Sequence, residues 1–172
     1  MASNPHLGRI VALQTLYEYD FRERSGDTPE VDELIGRHLG RYKDTIDDLD
    51  FVEAIIRGVI TQTEELDAII QPLAPEWPLN QISRIDHAIL RQSVFELFKM
   101  KDSGVPPKVS INEAVELAKS FGAENSSKFI NGVLGSAWRQ AHPEDAAAAQ
   151  HEADKRAAKT SDEQSPEKKV KQ

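Results

Sequence analysis

Apolar residues recur at steps of three and four along most of the chain, and no stretch alternates apolar with polar for long enough to make a strand. The pattern predicts an all-α fold. A first helix runs from about Gly8 to Arg24, with Ile10, Leu13, Tyr17 and Phe21 on one stripe and Leu16 beside it. That stripe is its expected inner face, and Ser25-Gly26-Asp27 ends it. A second helix begins where Thr28 caps and Pro29 suits the first helical position, and it buries Val31, Leu34, Ile35, Leu39 and Tyr42. Leu49, Val52, Ile56, Val59, Leu66, Ile70 and Leu73 lie near one face of a third, long helix. Asp47, Asp48 and Asp50 suit its start, where the helix dipole favours negative charge.

Pro72, Pro75 and Pro78 stop that helix, because proline lacks an amide donor and restricts the residue before it. This boundary divides residues 1–141 into subdomains of about 1–78 and 79–141, each a small bundle of three helices. The second subdomain opens with a helix from about Asn80 to Lys101, whose apolar positions wrap more than one face and mark it as the most buried. Ser110-Ile111-Asn112-Glu113 reads as a capping box for a helix through Phe121, with Gly122 at its C-terminal cap. A last helix spans about Asn125 to Gln140, and Gly132 and Gly135 suit a close approach by a neighbour. From His142 to Gln172 alanine, lysine, glutamate and serine dominate, and Val170 is the only large aliphatic. So little apolar surface does not offset the entropy of ordering it, and the segment is expected to be a disordered polar tail, with a frayed helix over Glu144 to Ala158 as the alternative.

Composition narrows the function classes. The chain has 172 residues, of which 39% are hydrophobic and 29% charged, enough to fill and to cover one core. The start, Met1 to Gly8, has no signal-peptide apolar region, and no run approaches the roughly 20 residues that span a bilayer, so a cytoplasmic protein is expected. There is no cysteine, which excludes disulfides, a thiolate nucleophile and cysteine zinc sites. A formal charge of -8 repels a polyanion as a whole, so nucleic-acid binding requires a local basic patch or a basic partner.

Candidate chemistry is sparse. His6, His38, His87, His142 and His151 have no metal-ligand spacing, no glycine-rich phosphate loop is present, and the carboxylate clusters read as solvated helix faces. Neither a metal, a cofactor nor a catalytic residue is expected, and the chain reads as a non-enzyme. Surface recognition remains. Lys119-Ser120-Phe121 and Ser127-Lys128-Phe129 set cations beside aromatic rings, the mixture that holds single-stranded RNA when bases stack and phosphates meet cations. Phe121 and Phe129 at helical spacing are also compatible with a plain core role.

The run from Lys108 to Glu124, KVSINEAVELAKSFGAE, followed by KFINGVL from Lys128 to Leu134, resembles the C-terminal signature of the NusB family. IDHAILRQSVFEL, from Ile85 to Leu97, resembles the family's central helix, and Ala12 to Tyr17, ALQTLY, its first. The resemblance covers about Gly8 to Trp138. It implies an all-helical fold of two subdomains, binding of boxA-type RNA, and pairing with the small-subunit ribosomal protein NusE in antitermination complexes on RNA polymerase, including during ribosomal RNA transcription. Lys128, Phe129 and Asn131 match the motif implicated in RNA contact, and Arg9 and Gln14 match first-helix positions on the same side. Tyr17 and Asp86 match positions associated with the ribosomal-protein surface. Under this reading Phe129 is partly exposed and Val133 and Leu134 take the core role.

Two departures from the family pattern bear on affinity. Many members begin with a dense arginine run, whereas Asn4-Pro5-His6-Leu7-Gly8-Arg9 carries Arg9 as its only fixed cation. Asn125 stands where an acid is common, and a neutral amide repels phosphate less. The competing expectation is a helical protein-interaction module, or a homodimer covering its own RNA face, with little RNA affinity of its own. RNA cytosine methyltransferases also carry NusB-like domains, but this chain is expected to end before any methyltransferase domain.

Overall fold

The computed structural model describes residues 5–75 and 77–162, with side chains described as far as residue 159. These residues form α1 (Pro5–Arg24), α2 (Val31–Gly40), α3 (Leu49–Thr61), α4 (Thr63–Ile70), α5 (Arg84–Lys99), α6 (Pro107–Phe121), α7 (Ser126–Ala141) and α8 (Pro143–Asp162). Single 3-10 turns lie at Gln71–Leu73, Leu79–Gln81 and Lys101–Ser103, and no strand occurs among the described residues. The all-α reading holds. No described helix is long and apolar enough to cross a membrane.

One compact unit extends to Ala137 and a second begins at Trp138. In the first unit α5 is the hub, packing against α1, α3, α4 and α6. Ile89, Leu90 and Val94 of α5 are fully buried, as are Val11 and Ala12 of α1, Ile55 and Ile56 of α3, Leu66 and Ile70 of α4 and Ala118 of α6. The prolines do end α4 and precede α5, and the helices on both sides of them share the contacts of α5. Ser83 starts α5, its hydroxyl accepting from the Asp86 amide at 3.2 Å.

Several local expectations are corrected. The inner face of α1 is Gly8, Arg9, Val11, Ala12, Leu13, Thr15 and Leu16, whereas Tyr17 and Phe21 are exposed. Small residues let α1 approach α3: a Cβ on Gly8 would lie 2.8 Å from Val52 Cγ2. α2 starts at Val31 behind Glu30, so Thr28 is not its cap. The expected long third helix breaks at Gln62, whose φ of -117° and ψ of 22° leave the helical region. Pro107 opens α6, which puts Ser110 inside the helix instead of at its cap. Gly122 ends α6 with an ordinary φ of -88°; its need is steric, since a Cβ there would sit 2.5 Å from Ser126 Cβ. Gly132 makes no close approach, for a Cβ on it would meet open space.

Where composition predicts a disordered tail, residues 143–162 form α8, consistent with the high helix propensity of its alanines. Its side chains from Ala147 to Lys159 are exposed, so propensity and local pairs such as Gln150 to Asp154 at 3.0 Å are its described support. The expected tail from 163 onward lies outside the described residues. At the start of the second unit Trp138 and His142 stack with ring centroids 3.7 Å apart.

Two polar clusters tie the first unit together. Asp67 accepts from Arg91 at 2.8 and 2.7 Å, is 2.7 Å from His87 Nε2, and shares Arg91 with Asp20 at 3.4 Å. Burial pushes the Asp67 pKa up, but the bonds from Arg91 and His87 outweigh it and hold the value at about 2. Glu18 is likewise held at about 2, chiefly by Arg37, against the effect of burial and with help from His38.

Candidate nucleic-acid interface

The second turn of α1 carries the expected N-terminal cation, but Arg9 is only 2% exposed. Its guanidinium donates twice to Glu96, at 3.0 and 2.5 Å, and its centre lies 5.3 Å from the Phe51 ring centroid. The Ser110 hydroxyl donates to the same carboxylate at 2.8 Å, and the Gln92 amide donates to the Arg9 carbonyl at 3.1 Å. Arg9 is therefore corrected from a phosphate contact to a buried strut joining α1, α5 and α6. A charge so desolvated is retained because its partner is equally buried. Glu96 escaped the sequence reading, which gave Ser110 a capping role; an acid within the apolar run of α5 was the available signal.

Gln14, Tyr17 and Phe21 run along the exposed side of α1 at helical spacing. Tyr17 is 38% and Phe21 51% exposed, and the Arg84 guanidinium lies 5.5 Å from the Phe21 ring centroid. This pair ties the beginning of α5 to the outer stripe of α1. Neither Phe21 nor Arg84 had been singled out as a surface residue, because an aromatic at helical spacing reads as core.

On the opposite end of the sequence, α6 and α7 present the remaining candidates. Lys119 is exposed in the last turn of α6 and pairs with Glu116 at 3.1 Å, a contact that solvent leaves weak. Lys128 and Asn131 are exposed at positions three apart on α7, while Ile130, Val133 and Leu134 are buried. Phe129 is half-buried and lines a cleft of about 460 Å³ with Trp77, Gln81, Ile82, Ser83, Asp86, Ala123, Glu124, Asn125 and Ser126. Asp86, matched to the protein-partner surface, thus shares a cleft with Phe129, matched to the RNA motif. Ser126 arranges this corner: its oxygen accepts from the Ala123 amide at 2.8 Å and its hydroxyl donates to Asp86 Oδ2 at 3.0 Å. Trp77, 54% exposed, went unnoticed as a surface ring amid the prolines.

Among the described residues no three His, Asp or Glu side chains gather as metal ligands, and the exposed candidates combine cations, amides and rings with the acids Glu116 and Glu124.

Comparison with known proteins agrees with this architecture. The profile of the NusB family matches residues 6–139. A protein of Chloroflexus aggregans named transcription antitermination protein NusB is 41% identical over 135 residues, covering 78% of this chain and 87% of the relative. The solved structure of NusB from T. maritima superposes with a TM-score of 0.68 at 28% identity, covering 80% of this chain and 92% of that one. A NusB chain solved as antitermination factors NusB and NusE in complex with dsRNA shares the fold, with a TM-score of 0.67 at 23% identity over 79% of this chain and 96% of that one. From the match over residues 6–139 and the identity to its relatives, the chain belongs to the NusB family.

Proposed function

We propose that this chain is a transcription antitermination adaptor. It binds boxA-type single-stranded RNA jointly with the small-subunit ribosomal protein NusE and joins a complex on RNA polymerase, in the cytoplasm, during ribosomal RNA transcription. The observation that carries the reading is family membership, together with the exposed Lys128 and Asn131 flanking the half-buried Phe129 on α7. The name of the Chloroflexus aggregans relative and the NusE and RNA in the solved complex support the same assignment. Lys119, Lys128, Phe129, Asn131 and Gln14 form the RNA-contacting set; Arg9 leaves it, because its charge is buried on Glu96. Tyr17 and Asp86 provide the protein-partner contact. No residue is assigned a catalytic role.

The burial of Arg9 and the net charge of -8 favour a second reading, a helical interaction module or homodimer with little RNA affinity of its own. Fluorescence anisotropy of a labelled boxA-like RNA, with and without the basic ribosomal protein and at two salt concentrations, separates the two. Tighter, salt-sensitive binding with the partner is the expected outcome. Absence of binding in every condition would replace the adaptor with the interaction module. Phe129→Ala is expected to weaken RNA binding by roughly 1–3 kcal/mol, the value of one stacked base. An unchanged RNA affinity alongside a lowered melting temperature would make Phe129 a core residue.

A further inference from the structure

Charge is segregated along the chain. Residues 155–172 hold six Lys or Arg and three acids, a surplus of three positive charges. With a formal net charge of -8 overall, residues 1–154 therefore carry -11. The family match ends at residue 139, so the basic end lies outside it. In α8, Lys155, Arg156 and Lys159 fall within about 100° of one helix face at 3.6 residues per turn. They line one surface hollow with Glu152 and Ala158, and their side chains are exposed. Asp154 points to the other side of the helix, where it accepts from the Gln150 amide at 3.0 Å. Cations at a helix C-terminus complement the helix dipole, an effect confined to the last turn, and only Lys159 lies there. The dipole leaves Lys155 and Arg156 without a reason.

We propose that Lys155, Arg156 and Lys159 form a sequence-independent clamp for the phosphates of an RNA strand, engaging nucleotides that flank those held by the first unit. This rests on the RNA-binding reading above and extends it past the family region. The need comes from charge. The RNA-contacting set has two fixed cations, Lys119 and Lys128; Lys119 already faces Glu116 at 3.1 Å, and Arg9 is spent on Glu96. A body at -11 repels a polyanion, so cations elsewhere on the chain raise affinity most effectively. The means comes from connectivity. One residue, His142, separates α8 from α7, the helix that carries Lys128, Phe129 and Asn131, so a strand held by α7 meets the clamp at high effective concentration. Lys155 and Lys159 stand about 6 Å apart along the helix axis, comparable to the step between phosphates of an extended strand. α8 has no Phe, Tyr or Trp on which a base could stack, which confines its contact to the backbone. An acidic protein segment would meet the same charges; RNA is favoured because the preceding helix brings the strand to the clamp.

The test uses the full chain with the basic ribosomal protein and two fluorescein-labelled RNAs: a short boxA-like strand, and the same strand with a run of uridines at each end. The extended probe is expected to bind the unaltered chain more tightly and with a steeper salt dependence. The combined variant Lys155→Gln, Arg156→Gln, Lys159→Gln is expected to abolish that gain while leaving the short probe unchanged. Three lost phosphate contacts on a single strand lower the logarithmic salt slope by about 2, so between 50 and 200 mM salt the variant loses roughly 15-fold less affinity for the extended probe than the unaltered chain does. Lys155→Arg with Lys159→Arg keeps the charge and is expected to keep the slope; if it loses as much as the glutamine variant, the effect comes from the helix and not from its charge, and the proposal fails. Equal slopes for the unaltered chain and the glutamine variant overturn the clamp and leave RNA binding standing. No binding of either probe removes both readings. Tighter binding by the glutamine variant also overturns the clamp, since the basic end would then be competing with RNA for the acidic body.

Discussion

Replacing Glu96 by Gln leaves the Arg9 guanidinium buried at 2% exposure with no opposite charge, since both of its short contacts go to that carboxylate. Breaking a buried pair from one side costs about 3–5 kcal/mol, a large share of the roughly 5–15 kcal/mol that holds a domain together. For a unit of this size that corresponds to a fall in melting temperature of about 6–20 °C. The pair itself, set against its own desolvation, is worth far less. Arg9→Met with Glu96→Leu and Ser110→Ala, which also removes the hydroxyl that donates to Glu96 at 2.8 Å, is therefore expected to recover most of the loss. Urea unfolding of the single and combined variants, followed by far-ultraviolet circular dichroism, measures the coupling. The reasoning is refuted if Arg9→Met costs under about 1 kcal/mol and instead flattens the salt dependence of RNA affinity by roughly 0.7 per decade, the mark of a lost phosphate contact on a single strand.

Other consequences are open to measurement. Gly58→Ala puts a Cβ 1.9 Å from Phe95 Cζ, so it is expected to destabilise by about 1–3 kcal/mol despite the better helix propensity of alanine, and Phe95→Leu is expected to restore part of the loss in thermal melts. The Asp67 carboxyl is held at about 2, below the usual carboxylate range, so the folded state binds its proton more weakly than the unfolded chain does. Its contribution, about 2 kcal/mol at most, is complete above pH 4 and disappears as the pH falls toward 2; urea midpoints at pH 6, 3.5 and 2.5 are expected to decline less in Asp67→Asn. Removing residues 143–172 is expected to leave the melting temperature of the first unit unchanged, because that compact unit ends at Ala137; a broadened or lost transition would contradict this.

The all-α class and the central place of α5 were legible because large aliphatics at Ile89, Leu90, Val94 and Leu97 repeat on a helical period and three prolines punctuate the chain before it. The inner face of α1 was not. Periodicity weighs side-chain bulk, whereas this face is built from Gly8, Ala12 and Thr15, whose value lies in allowing close approach, and from an arginine whose burial depends on an acid 87 positions away. The same blindness hid Ser110 inside α6, since a serine three residues before a glutamate looks identical at a cap and beneath a distant carboxylate. For the site, Lys128, Asn131 and Gln14 lie on exposed faces and Phe129 is half-buried, the accessibility that the proposed RNA contacts require. The cleft joining Asp86, Trp77 and Phe129 combines three segments, and no spacing along one of them announces it.

The central position of α5 also sets the order of assembly during synthesis. α1 to α4 are complete by Ile70, yet the helix against which α1, α3 and α4 close is not finished until Lys99. At roughly 5–20 residues per second a ribosome takes about 1.5–6 s to add those 29 residues. For that interval the nascent N-terminal half lacks the α5 surface against which α3 and α4 close, so Ile55, Ile56, Leu66 and Ile70 are expected to be less covered than in the finished fold.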